Sequence, residues 1–552
     1  MNPTTALIAY GAKPGNGNGM QRASIVTNSF WYGLETVADV LIGVASSIAI
    51  ARVIGPQRLG YFVYLTFLTN VAGRLGAEGV ATATRRYMSE YLARGEMGLA
   101  RSVFFTTLRL QTVLAATVVS IGVAMAWFLV EPNYRLAACL LVLSIAPALV
   151  SVVPSQANMA AERFSRNIPS ALAGLLAYAI MVTLALTRNW SLAGLASAFL
   201  IRRLVETTIR IIPVLQWMRK LPECCAPQSV GRKLLNLSAQ NLAITALTLI
   251  VWDRSEIMFL KAFCDVRQLA FYSVAFSVTG YLALLPNVIG AAVGANVMAE
   301  YARARSRTSM IAANSMRYLG LLVLPLNCGI AALGGPAIRV AYGPLYAAAI
   351  PVLVISAVLA IPKAFYWLPC TIHLAADKQA VLLRWLIVTA VLNVGLDALL
   401  IPGHGAIGAA VANGVAQSLT VAILLAKAKQ LCPMKLMNRT VAAILASATL
   451  MAGVAFGIAC FLPPLPAAIT GVIAGAIVYL TSLRLTRALS PSDLAFLDKR
   501  IARLSPVVRR YVRPIVALAV GRHPIPADSD DSAEVAGLFA VSDVPVVAPR
   551  GR

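Results

Sequence analysis

Charge is scarce in this chain, and negative charge scarcest. Asp and Glu supply 22 of 552 residues against 47 Lys and Arg, and charged residues together make up 12%. A soluble globular chain carries about twice that fraction. Histidine is nearly missing: His373, His404 and His523 stand far apart and fit no metal or nucleophile motif. No catalytic constellation appears, metal ligands are not expected, and an enzyme is not indicated. The eight cysteines occur singly except Cys224-Cys225, in a loop expected on the cytoplasmic side. They form no disulfide framework and no metal-ligand spacing, so packing is their expected role.

What is present is apolar length. Hydrophobic residues make up 59% and the mean hydropathy is +0.76. This surplus forms long uncharged stretches, and a spanning helix needs roughly 20 apolar residues. Fourteen stretches qualify, at about 24–50, 59–84, 103–130, 136–160, 168–187, 191–213, 235–261, 269–298, 311–334, 345–373, 380–401, 405–427, 439–462 and 466–486. The fold class expected is an all-α polytopic membrane protein of about 14 transmembrane helices. Gly55-Pro56, Pro402-Gly403 and Pro463-Pro464 are the expected tight breaks between neighbouring spans. The first stretch is too long for a cleaved signal core and is expected to be retained after a polar, Gly/Asn-rich start.

The formal net charge of +25 does not point to nucleic acid, because the cations sit in short loops that alternate between rich and poor. The rich set holds Arg85, Arg86, Arg94 and Arg101, then Arg163 and Arg166, then Arg219, Lys220, Arg232 and Lys233. Arg303, Arg305 and Arg307 follow, then Lys427, Lys429, Lys435 and Arg439. The other set has isolated cations such as Arg52, Arg135, Arg188 and Arg339. Positive loops stay inside and attract anionic inner-leaflet lipids, so both termini are expected in the cytoplasm. Residues 493–513 mix apolar and basic side chains as an amphipathic helix on the inner leaflet would, and a disordered end is expected beyond Pro524.

Four matched segments recur in chain order at an offset of about 212 residues. Leu59-Gly60-Tyr61-Phe62 pairs with Leu269-Ala270-Phe271-Tyr272, and Pro132-Asn133-Tyr134 with Pro344-Leu345-Tyr346. Ala160-Ala161-Glu162-Arg163 pairs with Ala375-Ala376-Asp377-Lys378, and Gly194-Leu195-Ala196 with Gly408-Ala409-Ala410. A repeat of six spans keeps both copies in one orientation, as two parallel lobes suited to alternating access around a central cavity. The expected organisation is a disordered cytoplasmic N-terminus (1–22), lobes at 23–220 and 221–430, an added helix pair (431–487) and a cytoplasmic tail (488–552).

The segment Ala51-Arg52-Val53-Ile54-Gly55-Pro56-Gln57-Arg58-Leu59-Gly60 resembles the opening signature of bacterial polysaccharide-lipid flippases. Tyr342-Gly343-Pro344-Leu345-Tyr346-Ala347-Ala348-Ala349 is similar to their ninth-to-tenth span connection. Asn393 to Leu400, with Ile401-Pro402, Gly405-Ala406 and Gly408-Ala409-Ala410, looks like the eleventh-to-twelfth. The resemblance covers about 24–430 and implies the multidrug/oligosaccharidyl-lipid/polysaccharide exporter superfamily. Its O-antigen and exopolysaccharide branch moves undecaprenyl-diphosphate-linked oligosaccharides from the cytoplasmic to the periplasmic leaflet of the inner membrane. The added helix pair and basic tail depart from its twelve-span members.

Such a carrier needs cations for phosphate, hydrogen-bonding groups for sugars, and a carboxylate where an ion drives it. A charge inside a span costs about 2.5–3.5 kcal/mol on insertion scales, so each one requires a reason. Arg74 in span two, Lys363 in span ten and Arg254 in span seven are the candidates for diphosphate contact. The competing reading pairs Arg74 with Glu78, lets Lys363 snorkel to the interface and neutralises Arg254 with Asp253 and Glu256. Glu35 and Asp39, four apart in span one, and Asp397 in span eleven are the candidates for coupling to H+ or Na+; no other cofactor is expected. The alternative for these carboxylates is simple bonding to nearby Asn, Ser or Arg. Trp31, Tyr32, Tyr366 and Trp367 suit sugar stacking or, more commonly, packing and the interfacial belt.

Three other functions fit the same spans. These are a flippase for lipid II-type precursors, a drug/cation antiporter with an acidic, aromatic cavity, and a scaffold for a polysaccharide polymerase complex. A polymerase and a chain-length regulator are the protein partners the flippase reading implies.

Overall fold

Within hydrocarbon no water satisfies backbone N–H and C=O groups, so an apolar run must close its own hydrogen bonds as a helix. The computed structural model follows this rule. It describes residues 18–224, 255–303, 305–434 and 438–486, short pieces between 238 and 249, and residue 488. Among the described residues there is no strand. The chain is an all-α, multi-pass membrane protein.

Two compact units divide the chain, Met1–Met258 and Phe259–Arg552. The first contains α1 (Asn18–Ala93), α2 (Met97–Leu129), α3 (Pro132–Leu143), α4 (Ile145–Ala160), α5 (Ile168–Thr187) and α6 (Leu192–Arg219). A short helix, α7 (Glu256–Phe263), straddles the division. The second unit contains α8 (Val266–Leu282), α9 (Leu284–Arg303), α10 (Arg305–Ala341), α11 (Ala349–Lys363) and α12 (Trp367–Ala375). It continues with α13 (Gln379–Leu431), α14 (Asn438–Phe461) and α15 (Pro464–Leu485).

Nine helices among the described residues are long and apolar enough to cross a membrane. Two of them, within α1 and α13, hold two expected spans each, joined at Gly55 and Gly405. Span six is α6, whose five charges lower its hydropathy; span seven is described only in part; span eight is broken into α8 and α9 at Ala283. Large side chains such as Phe128 (78% exposed), Leu399 (77%) and Phe461 (89%) stand on the outside, as a lipid solvent favours.

The turn between spans eleven and twelve falls at Gly405, beyond the expected Pro402-Gly403. Pro402 remains helical, whereas Gly405 takes φ 55°, a left-handed conformation that a side chain disfavours. The Ala406 N–H then donates to Gln268 Oε1 at 3.2 Å.

Each unit carries the same internal contacts at matched repeat positions. Tyr61 stacks on Tyr134 with centroids 4.4 Å apart, and Phe271 meets Tyr346 edge-on at 6.3 Å. Glu162 and Asp377 both take left-handed backbone, with φ 58° and 55°. Around them the turn bonds coincide. Arg163 N donates to Asn158 O and Lys378 N to His373 O, both at 2.8 Å, and Glu162 N and Asp377 N each reach back three residues. This is the six-to-one plus five-to-two pattern of a Schellman helix end. Gly194 and Gly408 also match. A Cβ on Gly194 would lie 2.5 Å from Trp190 Cβ, and one on Gly408 would lie 2.4 Å from the Leu400 carbonyl oxygen.

The first unit is held by buried Val80, Met88, Phe104, Val153, Trp217 and Met218. In the second, the added pair α14–α15 packs on α10 through Leu324, Ile444, Met451 and Leu483, and Tyr479 Oη donates to Leu321 O at 2.8 Å. The added helices are thus fixed to one span of the second unit.

Candidate functional site

Six charged side chains gather along α1 and α6 within the first unit, and four of them had not been singled out from the sequence. α6 presents Arg202, Arg203, Glu206 and Arg210 within little more than two turns; α1 presents Glu35 and Asp39. Arg202, ten residues into α6, lies about 15 Å along the helix from Leu192, near the middle of a hydrocarbon core about 30 Å thick.

Glu206 shares its carboxylate between two arginines: Oε2 pairs with Arg203 Nη1 at 3.0 Å and Oε1 with Arg210 Nη2 at 2.9 Å. Arg210 is buried, and each of its other two nitrogens also has a partner. Nε donates to Ser170 Oγ at 3.0 Å and Nη1 to Ser151 Oγ at 2.8 Å. Arg202 pairs instead with Asp39, Nη2 to Oδ1 at 2.7 Å, and its guanidinium lies over the Tyr178 ring, 5.7 Å from the centroid. Three cations and three carboxylates make the group formally neutral, which lowers the energy of placing it at this depth.

A pocket opens beside this group. Glu35, Ser155, Asn167 and Arg210 give it a polar wall, and Met159, Phe164 and Ile168 an apolar one. Asn158 Nδ2 donates to Asn167 Oδ1 at 2.8 Å and orients that amide. Glu35 is half-buried and Asp39 exposed, although the two are one turn apart.

The other expected residues are spread through both units. Arg74 is half-buried in α1 and Glu78, one turn on, is exposed. Near them the chain is pinned by Gln111 Nε2, which donates to Gly76 O at 2.9 Å. Arg254 and Asp253 lie outside the described residues, while Glu256 at the start of α7 is fully buried. Lys363 is the last residue of α11, where span ten breaks before α12. Tyr366 N–H donates to Lys363 O at 3.0 Å, and the ammonium lies 5.6 Å from the Phe276 ring centroid. A cation at the carboxyl end of a half-helix is favoured by the helix dipole.

Asp397 is fully buried in a polar stripe of α13 with Thr389 and Asn393, each one turn from the next. Asn393 Nδ2 donates to Asp397 Oδ2 at 3.4 Å. After the Gly405 turn the returning arm presents Asn413, Gln417 and Thr420, all buried, and Thr420 hydrogen-bonds Thr389. Trp367 packs its indole over Gly290, where a Cβ would stand 2.6 Å from the ring, so packing accounts for it. The side chains of Trp31 and Tyr32 lie outside the described residues.

Among solved structures the chain is similar to the lipid II flippase MurJ in an inward closed conformation. The match has a TM-score of 0.68 and 13% identity, covering 82% of this chain and 98% of that one. It is also similar to an inward-facing multidrug resistance MATE family transporter of the MOP superfamily, with a TM-score of 0.60 and 13% identity over 71% of this chain and 95% of that one. A MOP superfamily transporter from Pyrococcus furiosus matches with a TM-score of 0.53 and 13% identity, over 78% and 99%. No curated protein matches the chain by sequence. Residues 49–351, more than half of the chain, match the family described as polysaccharide biosynthesis protein, and the chain belongs to that family.

Proposed function

We propose that this protein is a flippase. It carries undecaprenyl-diphosphate-linked oligosaccharide units from the cytoplasmic to the periplasmic leaflet of the inner membrane by alternating access, for surface or exopolysaccharide synthesis. The observation that carries this reading is the charge group of α1 and α6, with Asp39 left 53% exposed at mid-span. An exposed carboxylate cannot face acyl chains at that depth without a large penalty, so it faces water. A family concerned with polysaccharide synthesis and a fold shared with a lipid II flippase support a lipid-linked glycan as cargo.

On this reading the protein makes and breaks no covalent bond. Arg74 and Lys363, and Arg254 in span seven, contact the diphosphate, because a phosphate bound by cations leaves water at lower cost than one bound by neutral groups. Glu35, Asp39 and Asp397 take the coupling ion, H+ or Na+. The cationic loops keep both termini in the cytoplasm. Intramembrane cations favour an anionic cargo over the organic cations of a drug antiporter.

The test is reconstitution in vesicles with a fluorescent lipid-linked oligosaccharide, scoring its accessibility in each leaflet. Arg74→Ala and Lys363→Ala each lower the initial rate roughly tenfold or more, as loss of a charge-assisted contact of about 1.5–3 kcal/mol implies. Protein abundance stays unchanged. Normal rates in both variants would remove the phosphate contacts assigned here.

A further inference from the structure

Three arginines stand together on α6, yet only one is open to exchange its partner. Arg210 is closed in by Glu206, Ser151 and Ser170, and Arg203, itself 39% exposed, is tied to the other oxygen of Glu206, a carboxylate only 13% exposed and shared with Arg210. Arg202 differs in its partner and in one unused donor. Its carboxylate partner is the most exposed member of the group, with Asp39 at 53% and Arg202 itself at 23%. The pair uses a single contact, Nη2 to Oδ1 at 2.7 Å. Among the described residues no hydrogen bond reaches Arg202 Nε, which is buried. A guanidinium offers two parallel N–H donors to a planar or tetrahedral oxyanion, and here one of them is unused. Tyr178 supports the guanidinium face and holds its plane.

We propose that Arg202 is a subsite for the diphosphate of the carried lipid, and that the Asp39 carboxylate is its resting occupant. This rests on the flippase reading above and adds a residue and a mechanism to it. The incoming diphosphate displaces Asp39, takes Nη2 and the unused Nε together, and leaves Asp39 bare toward the water it faces. Glu206 stays with Arg203 and Arg210, so the displaced charge is that of Asp39 alone. Two anions then compete for one guanidinium. A cation that neutralises Asp39 therefore strengthens diphosphate binding, and diphosphate strengthens cation binding by the same factor. Coupling arises without contact between ion and cargo.

The direct test is titration of the purified full-length protein, held in uncharged-lipid nanodiscs, with inorganic pyrophosphate. Asp39→Asn removes the competitor and binds pyrophosphate at least about fivefold more tightly than wild type, a change within the usual range of coupling between sites. Arg202→Gln binds it at least about tenfold more weakly, as loss of a charged contact implies. Asp39→Asn with Arg202→Gln behaves as Arg202→Gln alone, and Arg202→Lys, which keeps charge without the planar fork, falls between. Asp39 is exposed, so its variant keeps the wild-type melting behaviour. Unchanged or weaker binding in folded Asp39→Asn overturns the proposal, as does tightening that persists in the double variant. If wild type binds pyrophosphate and Arg74→Ala weakens it while Asp39→Asn has no effect, the flippase reading stands and this inference falls. If neither wild type nor Asp39→Asn binds, both fall.

Discussion

Glu206 gives one carboxylate oxygen to Arg203 and the other to Arg210, and this division separates charges that brace the first unit from charges free to move. Breaking a buried pair leaves an uncompensated charge, whereas an exposed pair contributes little. Arg210→Met is therefore expected to destabilise the protein by on the order of 3 kcal/mol. Asp39→Asn should cost less than about 1 kcal/mol. Thermal melting in detergent checks both, and a similar drop for the two would contradict the division of roles. These residues were visible in the sequence as four charges inside the stretch 191–213, a density that should itself have marked span six. What the sequence did not hold was the partner: Asp39 lies 163 residues from Arg202, and only folding brings them together. Glu35 and Asp39 were legible as a pair because they share one helix. Their different exposures depend on how α1 packs on α5 and meets Arg202 of α6, which no local spacing encodes.

At the scale of elements, the tightest constraints lie where spans turn back. Glu162 and Asp377 occupy equivalent left-handed positions in the two units, so Glu162→Gly and Asp377→Gly should each stabilise by about 0.5–1 kcal/mol, and by similar amounts. Unequal signs would show that the two turns differ in ways the backbone does not reveal. Gly408→Ala should destabilise by on the order of 2 kcal/mol, because its Cβ meets the Leu400 carbonyl, a backbone group that has little room to retreat. Gly403→Ala meets nothing within 4 Å and should be nearly neutral. The breakers Gly55-Pro56 and Pro463-Pro464 were readable from composition, and the helices do divide at or beside them. Pro402-Gly403 misled by a few residues, because a proline near a helix end can remain helical while a later glycine makes the turn. The breaks inside spans four and ten follow no equally strong signal. Ser144, and Ala364 to Tyr366, are ordinary residues in apolar runs.

For the whole molecule, the apolar runs made the fold legible, since a bilayer leaves the backbone few choices. The repeat was legible too, and the matched aromatic pairs and Schellman turns give it physical content within each unit. The added pair α14–α15 is anchored by Tyr479 on α10, whereas the basic tail lies outside the described residues. Truncation after residue 486 should leave leaflet transfer by the reconstituted protein within about twofold of the full chain. Co-purification with a polymerase would be lost if the tail docks it; a tail essential for transfer itself would show as loss of transfer at normal abundance. Whether charges within the spans handle the diphosphate of a lipid-linked glycan can be read by comparing two cargoes in the same vesicles. One is the oligosaccharide on a prenyl diphosphate, the other the same oligosaccharide on an uncharged prenyl ether. The initial transfer rate is expected to be at least about tenfold higher for the diphosphate, the factor that one charged contact supplies. Equal rates for the two, or transfer of neither, would contradict it.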